Sequence, residues 1–198
     1  MEEANIELND YIIPIGSPCE GCAVLVGNYL ITAGHVLEKS ENTTISFKKK
    51  KYKLNKDNCV YFSSMNDLSW NILGNDIAVY KLDSINSPIE LYKENVFLND
   101  ILHSISYKVF VSKIDNDNNV FGWLNTTDHT EIIECNGKVV DIKGNFIACE
   151  MSYPLRKGSS GSPIFYKGKL AGILSAGDES REICIFQNAQ SIMQLLLK

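Results

Sequence analysis

The apolar segments of this 198-residue chain are short, rich in β-branched and aromatic residues, and repeatedly cut by turn signals, and that punctuation most limits the folds open to it. Ala23-Val24-Leu25-Val26 and Tyr29-Leu30-Ile31-Thr32 flank Gly27-Asn28, a two-residue hairpin signal. Thr44-Ile45-Ser46-Phe47 and Tyr52-Lys53-Leu54 predict a second hairpin, and residues 58–62 and 77–82 further strands. In the second half strands are expected over 101–106, 109–114, 120–124, 130–135, 138–142 and 146–151, separated at 115–119, Asn136-Gly137 and Gly144-Asn145. Short strands at this density imply an all-β barrel or sandwich, because a doubly wound α/β fold needs helices between its strands. The one good helical pattern is terminal, with Asn188 as cap and Ile192, Met193, Leu195 and Leu196 as its apolar face.

Against this background one stretch carries chemistry. Lys157-Gly158-Ser159-Ser160-Gly161-Ser162-Pro163 is a small-residue turn running into the apolar strand Ile164-Phe165. Such a turn brings backbone N–H groups to one point and holds a hydroxyl beside it. Acyl transfer needs that pairing: an oxygen nucleophile, here Ser160, and donors for the oxyanion, here the N–H groups of Gly158 and Ser160. Taken alone, the stretch also reads as ordinary loop punctuation. It is not the Gly-x-Ser-x-Gly nucleophile elbow, since Ser162 replaces the last glycine and a strand follows where that motif demands a helix.

Two upstream segments supply partners. Leu30-Ile31-Thr32-Ala33-Gly34-His35 brings a strand to a histidine, and Gly74-Asn75-Asp76-Ile77-Ala78 brings an aspartate to the start of another. A histidine in isolation is more often structural, and an aspartate before a strand is a common turn residue. The order His35, Asp76, Ser160 is nonetheless the chain order of one convergent form of the Ser-His-Asp triad. His103, in an expected strand, and His129, in a polar loop, have no motif around them.

With these residues in place the chain resembles the trypsin-like, chymotrypsin-fold serine peptidases, and among them the bacterial glutamyl-endopeptidase and HtrA-like peptidase domains. Thr32-Ala33-Gly34-His35, Asn75-Asp76-Ile77-Ala78 and Gly158-Ser159-Ser160-Gly161-Ser162-Pro163 match the three motifs, and Gly172-Ile173-Leu174-Ser175-Ala176-Gly177 matches the strand lining the primary specificity pocket. The resemblance implies two Greek-key β-barrels and a C-terminal helix over 188–198. Residues 1–90 would form the barrel carrying His35 and Asp76, and residues 91–198 the barrel carrying Ser160, joined through 84–94. It implies a serine endopeptidase acting on a specific protein partner through His35, Asp76 and Ser160, with Gly158 and Ser160 as oxyanion donors. The alternative is a catalytically silent scaffold of the same fold that binds extended peptide. A non-peptidase acyl hydrolase using the same three residues is a third, weaker reading.

The resemblance places Pro154 at the pocket base, with Leu155, Leu174, Ser175, Ala176 and Gly177 as further substrate-binding residues. The result is an apolar slot with no carboxylate for a basic side chain, and Arg156 and Lys157 would stand at its rim. Leu174 stands where glutamate-selecting relatives carry a histidine. Ser159 occupies the position at which many relatives carry an aspartate that pairs with a newly cut N-terminus, so control would fall to a regulatory protein partner, loop ordering or substrate access. The chemistry calls for no cofactor and no metal.

Composition bounds the partners. A net charge of −5 argues against nucleic acid, which demands a positive footprint. The exception, Lys48-Lys49-Lys50-Lys51 with Lys53 and Lys56, interleaves with Phe47, Tyr52 and Leu54 and reads as a solvated hairpin. No apolar run reaches the roughly 18 residues that span a bilayer, and the acidic start Met1-Glu2-Glu3 is unlike a signal peptide. A cytoplasmic protein without membrane attachment is expected. Of six cysteines, Cys19-Glu20-Gly21-Cys22 has the spacing of half a zinc site with no second half, and Val36 stands where secreted relatives place a half-cystine. Reduced structural thiols are expected.

Overall fold

The computed structural model describes residues 7–16, 20–38, 43–55, 57–64, 74–108, 131–153, 155, 158–178 and 182–197. The strands expected over 109–114 and 120–124 lie outside them, as do Cys19, His129, Pro154, Arg156 and Lys157.

The chain is a mostly β structure with a short C-terminal helix. A short 3₁₀ turn at Leu8–Tyr11 leads into β1 (Ile12–Ile15), β2 (Gly21–Val26) and β3 (Tyr29–Thr32), followed by one helical turn, α1 (Gly34–Leu37). β4 (Thr43–Phe47), β5 (Lys50–Leu54), β6 (Cys59–Ser63) and β7 (Ile77–Lys81) complete the first half. The second half contains β8 (Ile101–Lys108), β9 (Glu131–Lys143), β10 (Phe146–Met151), β11 (Pro163–Tyr166), β12 (Lys169–Asp178), β13 (Ile183–Asn188) and α2 (Ala189–Leu196). No described helix is long and apolar enough to cross a membrane.

In the first half an antiparallel sheet of order β1-β2-β3-β7-β6 faces the two-stranded ribbon β4-β5. β1 is an edge strand of this sheet, where Pro14 opposite Cys22 is tolerated because an edge strand can lack one donor. Ile13, Ile15, Leu25, Leu30, Ile45, Leu54 and Ala78 from sheet and ribbon enclose one core. The lysine run forms the ribbon's turn. Lys48 and Lys49 both take positive φ, 46° and 64°, and Lys48 Nζ lies 5.3 Å from the ring centroids of Tyr11 and Phe47.

The second half closes completely, in the order β10-β13-β12-β11-β8-β9. One sequence expectation is corrected here. Asn136-Gly137 does not turn the chain: β9 runs straight through it, with Gly137 paired to Leu102 on one side and Met151 on the other. A Cβ at Gly137 would stand 2.6 Å from Met151 Sδ and 3.0 Å from Cys149 Cβ. The glycine therefore answers to crowding inside the barrel rather than to a hairpin. The turn at Gly144-Asn145 forms as expected, with Gly144 at φ 57°.

A third apolar cluster joins the halves. Val24, Val26, Ile31 and Val79 from the first sheet pack with Ile105, Phe165, Ile173 and Ile192 from the second barrel and α2. Side chains alternate along a strand, so β2 sends Ala23 and Leu25 into its own core and Val24 and Val26 into the seam, and all six of its residues are buried. Each large aliphatic side chain so buried contributes about 1.5–3 kcal/mol. The connecting segment follows the same seam. Ser87 N–H donates to Gly27 O at 2.7 Å, and Tyr92 N–H to Leu170 O at 2.8 Å, so residues 83–99 are stitched first to one half and then to the other.

Candidate active site

Three local structures deliver chemical groups to the seam. β3 ends at Thr32 and α1 turns His35 back over the sheet. Asp76 stands at the entrance to β7, which pairs with β3 from Tyr29↔Lys81 to Thr32↔Ala78, so the histidine and the aspartate leave neighbouring strands at the same end. The turn 158–162 precedes β11 in the opposite half.

His35 Nδ1 lies 2.7 Å from Asp76 Oδ2, and the His35 backbone N–H donates to Asp76 Oδ1 at 2.9 Å. The hydroxyl of Ser175, on β12, donates to Oδ2 at 2.5 Å. Asp76 is fully buried, while the His35 side chain keeps a third of its surface exposed. A buried carboxylate without donors is costly, and these three donors, one from the opposite half, compensate it. They also assign the ring its tautomer: with Nδ1–H directed at Asp76, Nε2 is the nitrogen left to accept a proton.

The turn from Gly158 is fastened to the first half by its backbone. Cys22 N–H donates to Ser160 O at 2.6 Å, and Cys22 Sγ lies 3.6 Å from Gly158 O. Gly161 has φ 82°, and a Cβ there would fall 2.0 Å from Cys22 O and 2.5 Å from Thr32 Oγ1. Only glycine fits this contact. Gly21 acts as spacer on the other side, since a Cβ on it would lie 2.6 Å from Val36 Cγ2 and 2.8 Å from Ser160 O. Ser160, half-buried, is therefore one glycine's width from the residue that follows His35. Gly158 takes φ 93°, Ser159 is buried, and Ser162 Oγ donates to Ser106 Oγ at 2.8 Å.

Leu155 and Leu174 are buried in the second core. Gly177 lies beside Leu155, a Cβ there standing 3.6 Å from both Leu155 O and Cys184 Sγ. Ala176 is half-buried and pairs with Ile185 across β12 and β13. Ser175, expected among the substrate-binding residues, directs its hydroxyl onto Asp76. His103 sits on the surface, 3.4 Å from Glu134. Among the described residues no group of three or more His, Cys, Asp or Glu side chains converges as metal ligands.

The described cysteines form no disulfide. Cys149 lies directly opposite Cys184 across β10 and β13. Burial pushes the Cys149 thiol up to about 12 and those of Cys135 and Cys184 up to about 11, with Cys184 reinforcing the shift of the other two. These thiols are inert fillers of the barrel core.

Sequence reasoning missed two groups at the aspartate. Ser175 carried a signal, a hydroxyl inside the apolar run from Gly172 to Ala176 that had to find a partner. Gln187 carried one as well: it follows Ile183 and Ile185 on one face of β13 and is fully buried.

The trypsin family model matches residues 7–195. No curated protein matches the chain. Among solved structures, mouse neuropsin, a serine protease, is 14% identical with a TM-score of 0.69, over 95% of this chain and 93% of that one. The active form of the Rv3671c protease from M. tuberculosis is 14% identical with a TM-score of 0.66, over 96% and 81%. A scabies mite inactivated protease paralogue, S-D1, is 13% identical with a TM-score of 0.68, over 96% and 91%. Identities this low establish the fold alone, and both active and inactivated proteins share it.

Proposed function

The chain belongs to the trypsin family, and we propose that within it the protein is a working serine endopeptidase whose catalytic residues are His35, Asp76 and Ser160. The observation that carries this reading is the His35–Asp76 pair at 2.7 Å, with the aspartate buried and triply hydrogen-bonded. A fold kept only to bind peptide has no use for a compensated buried carboxylate behind a part-exposed imidazole.

In this reading Ser160 Oγ attacks the scissile carbonyl as His35 Nε2 takes its proton. The carbonyl oxygen becomes an oxyanion facing the N–H groups of Gly158 and Ser160. Collapse breaks the C–N bond, and the proton on Nε2 passes to the departing amine. Water then repeats the sequence on the acyl-enzyme, again through His35, and releases the acid. Asp76 stays a carboxylate throughout, holding the ring and stabilising the imidazolium. Nothing in these steps requires a cofactor.

The substrate is an extended segment of a protein partner. The pocket walls Leu155 and Leu174 favour an apolar side chain before the scissile bond, since each buried methylene gains about 0.8 kcal/mol. Ser159 offers no carboxylate for an N-terminal ammonium, so a regulatory protein or loop ordering controls the turn. The test is cleavage of a fluorogenic peptide library by wild type and Ser160→Ala. Turnover that Ser160→Ala abolishes supports the reading, and an inert wild type returns the chain to the silent peptide-binding class.

A further inference from the structure

Asp76 is held from behind as well as from the front. Its backbone N–H donates to Gln187 Oε1 at 2.8 Å, across 111 positions of sequence and across the seam. The Gln187 side chain is fully buried, and its own amide is fixed by two acceptors, Asn75 Oδ1 at 2.6 Å and Ser191 Oγ at 3.0 Å. Asn75 Oδ1 also accepts from Asn145 Nδ2 at 3.0 Å, and Asn75 Nδ2 donates to Tyr61 OH at 3.2 Å. Ser191 in turn belongs to the capped first turn of α2, where Asn188 Oδ1 accepts from its N–H at 2.9 Å. Every described polar atom of the Gln187 amide is used, and the chain of bonds runs without a break from the terminal helix to the aspartate.

We infer that Gln187 is a positioning residue for the triad: reaching over from β13, its amide fixes the Asn75-Asp76 backbone and thereby the oxygen on which His35 turns. The inference rests on the proposed function and deepens it. Ser175 constrains the carboxylate directly, whereas Gln187 constrains the peptide that carries it. Both come from the second half, so docking of the two halves, rather than the first half alone, sets the His35–Asp76 geometry. An unpaired amide inside the seam would cost free energy, and a fully satisfied network instead specifies one arrangement.

The test uses a fluorophosphonate probe, with the labelling of Ser160 resolved into a maximal rate, kinact, and a half-saturating concentration, KI. Gln187→Leu removes the acceptor for Asp76 N–H at similar volume, and kinact should fall by about 10- to 100-fold with KI unchanged, the scale on which small misplacements of a reacting group act. Gln187→Glu should recover kinact to within about fivefold, because a glutamic acid kept neutral by burial still accepts from Asp76 N–H and donates to Asn75 Oδ1. If Gln187→Leu does not fold by circular dichroism, Asn75→Ala and Ser191→Ala, which each free one side of the amide, take its place, and lower kinact at constant KI is again expected. Wild-type kinact in Gln187→Leu, a change confined to KI, or a Gln187→Glu as impaired as the leucine variant overturns the positioning role. A wild type that never labels overturns the proposed function, and this inference with it.

Discussion

Ser175 Oγ stands 2.5 Å from Asp76 Oδ2, the same carboxylate oxygen that His35 Nδ1 approaches at 2.7 Å. One oxygen thus receives a donor from each half of the molecule. Removing the hydroxyl with Ser175→Ala leaves Asp76 two donors where it had three. A hydrogen bond to a charged group is worth about 1.5–3 kcal/mol, so kcat/KM should fall about 10- to 100-fold. Asp76→Asn should cost far more, about 10⁴ in kcat by analogy with the chymotrypsin-type triad, since an amide group facing these donors stabilises the wrong tautomer. Peptide hydrolysis by the two variants measures both, and a mild effect of Asp76→Asn counts against the triad.

Gly161→Ala and Gly168→Ala form a matched pair. Both glycines have positive φ, 82° and 75°, but a Cβ at Gly161 meets Cys22 O at 2.0 Å while one at Gly168 meets nothing within 4 Å. Backbone conformation alone costs about 1–2 kcal/mol at either position. Overpacking adds about 1–3 kcal/mol at Gly161 only. Thermal unfolding should therefore rank Gly161→Ala well below Gly168→Ala, and only Gly161→Ala should lose hydrolysis.

The barrel thiols predict a loss of stability in alkali. Burial raises Cys135 and Cys184 to about 11 and Cys149 to about 12 from an ordinary thiol value of 9.0. Above that ordinary value the unfolded chain releases these protons while the folded one keeps them. Their contribution is therefore fully present below pH 9 and is lost as pH rises toward 11 and 12. Urea midpoints measured across this window should fall, and Cys149→Ala should flatten the decline. Iodoacetamide at pH 8 should leave all three thiols unmodified until the protein is unfolded.

In the proposed reading, substrate choice follows from Leu155 and Leu174 as pocket walls. Leu155 and Leu174 are buried, and neither they nor Ser175, Ala176 and Gly177 offer a carboxylate. Burying an unpaired lysine or arginine head costs several kcal/mol. Peptide libraries should show cleavage after Leu, Met or Phe. Cleavage after Arg or Lys would refute the pocket assignment, and cleavage after Asp or Glu would refute the apolar preference while leaving the triad standing.

The fold class and the His35–Asp76 pair were legible because each rests on local signals: turn residues between β-rich runs, and motifs confined to a few positions. Asn136-Gly137 misled because a turn signal and a close-packing glycine look alike until Met151, fourteen positions on, is known to cross it. The bond from Ser175 to Asp76 was not legible, for the direction of a hydroxyl on a bulged strand depends on register, and β12 shifts register between Leu174 and Ala176. For Gln187 the place on β13 signalled only that a partner was needed; which partner was illegible, because Asn75 and Asp76 come from the other half of the chain. Long-range docking of polar groups leaves no periodicity to read.

The central claim is that Ser160 is an activated nucleophile, and covalent labelling tests it most directly. Wild-type protein treated with a fluorophosphonate at neutral pH should gain the mass of one adduct, located by peptide mapping on Ser160. Ser160→Ala should gain none, His35→Ala should label orders of magnitude more slowly, and Ser159→Ala should label as wild type does. An unlabelled wild type, or an adduct on Ser159 or Ser162, would contradict the account.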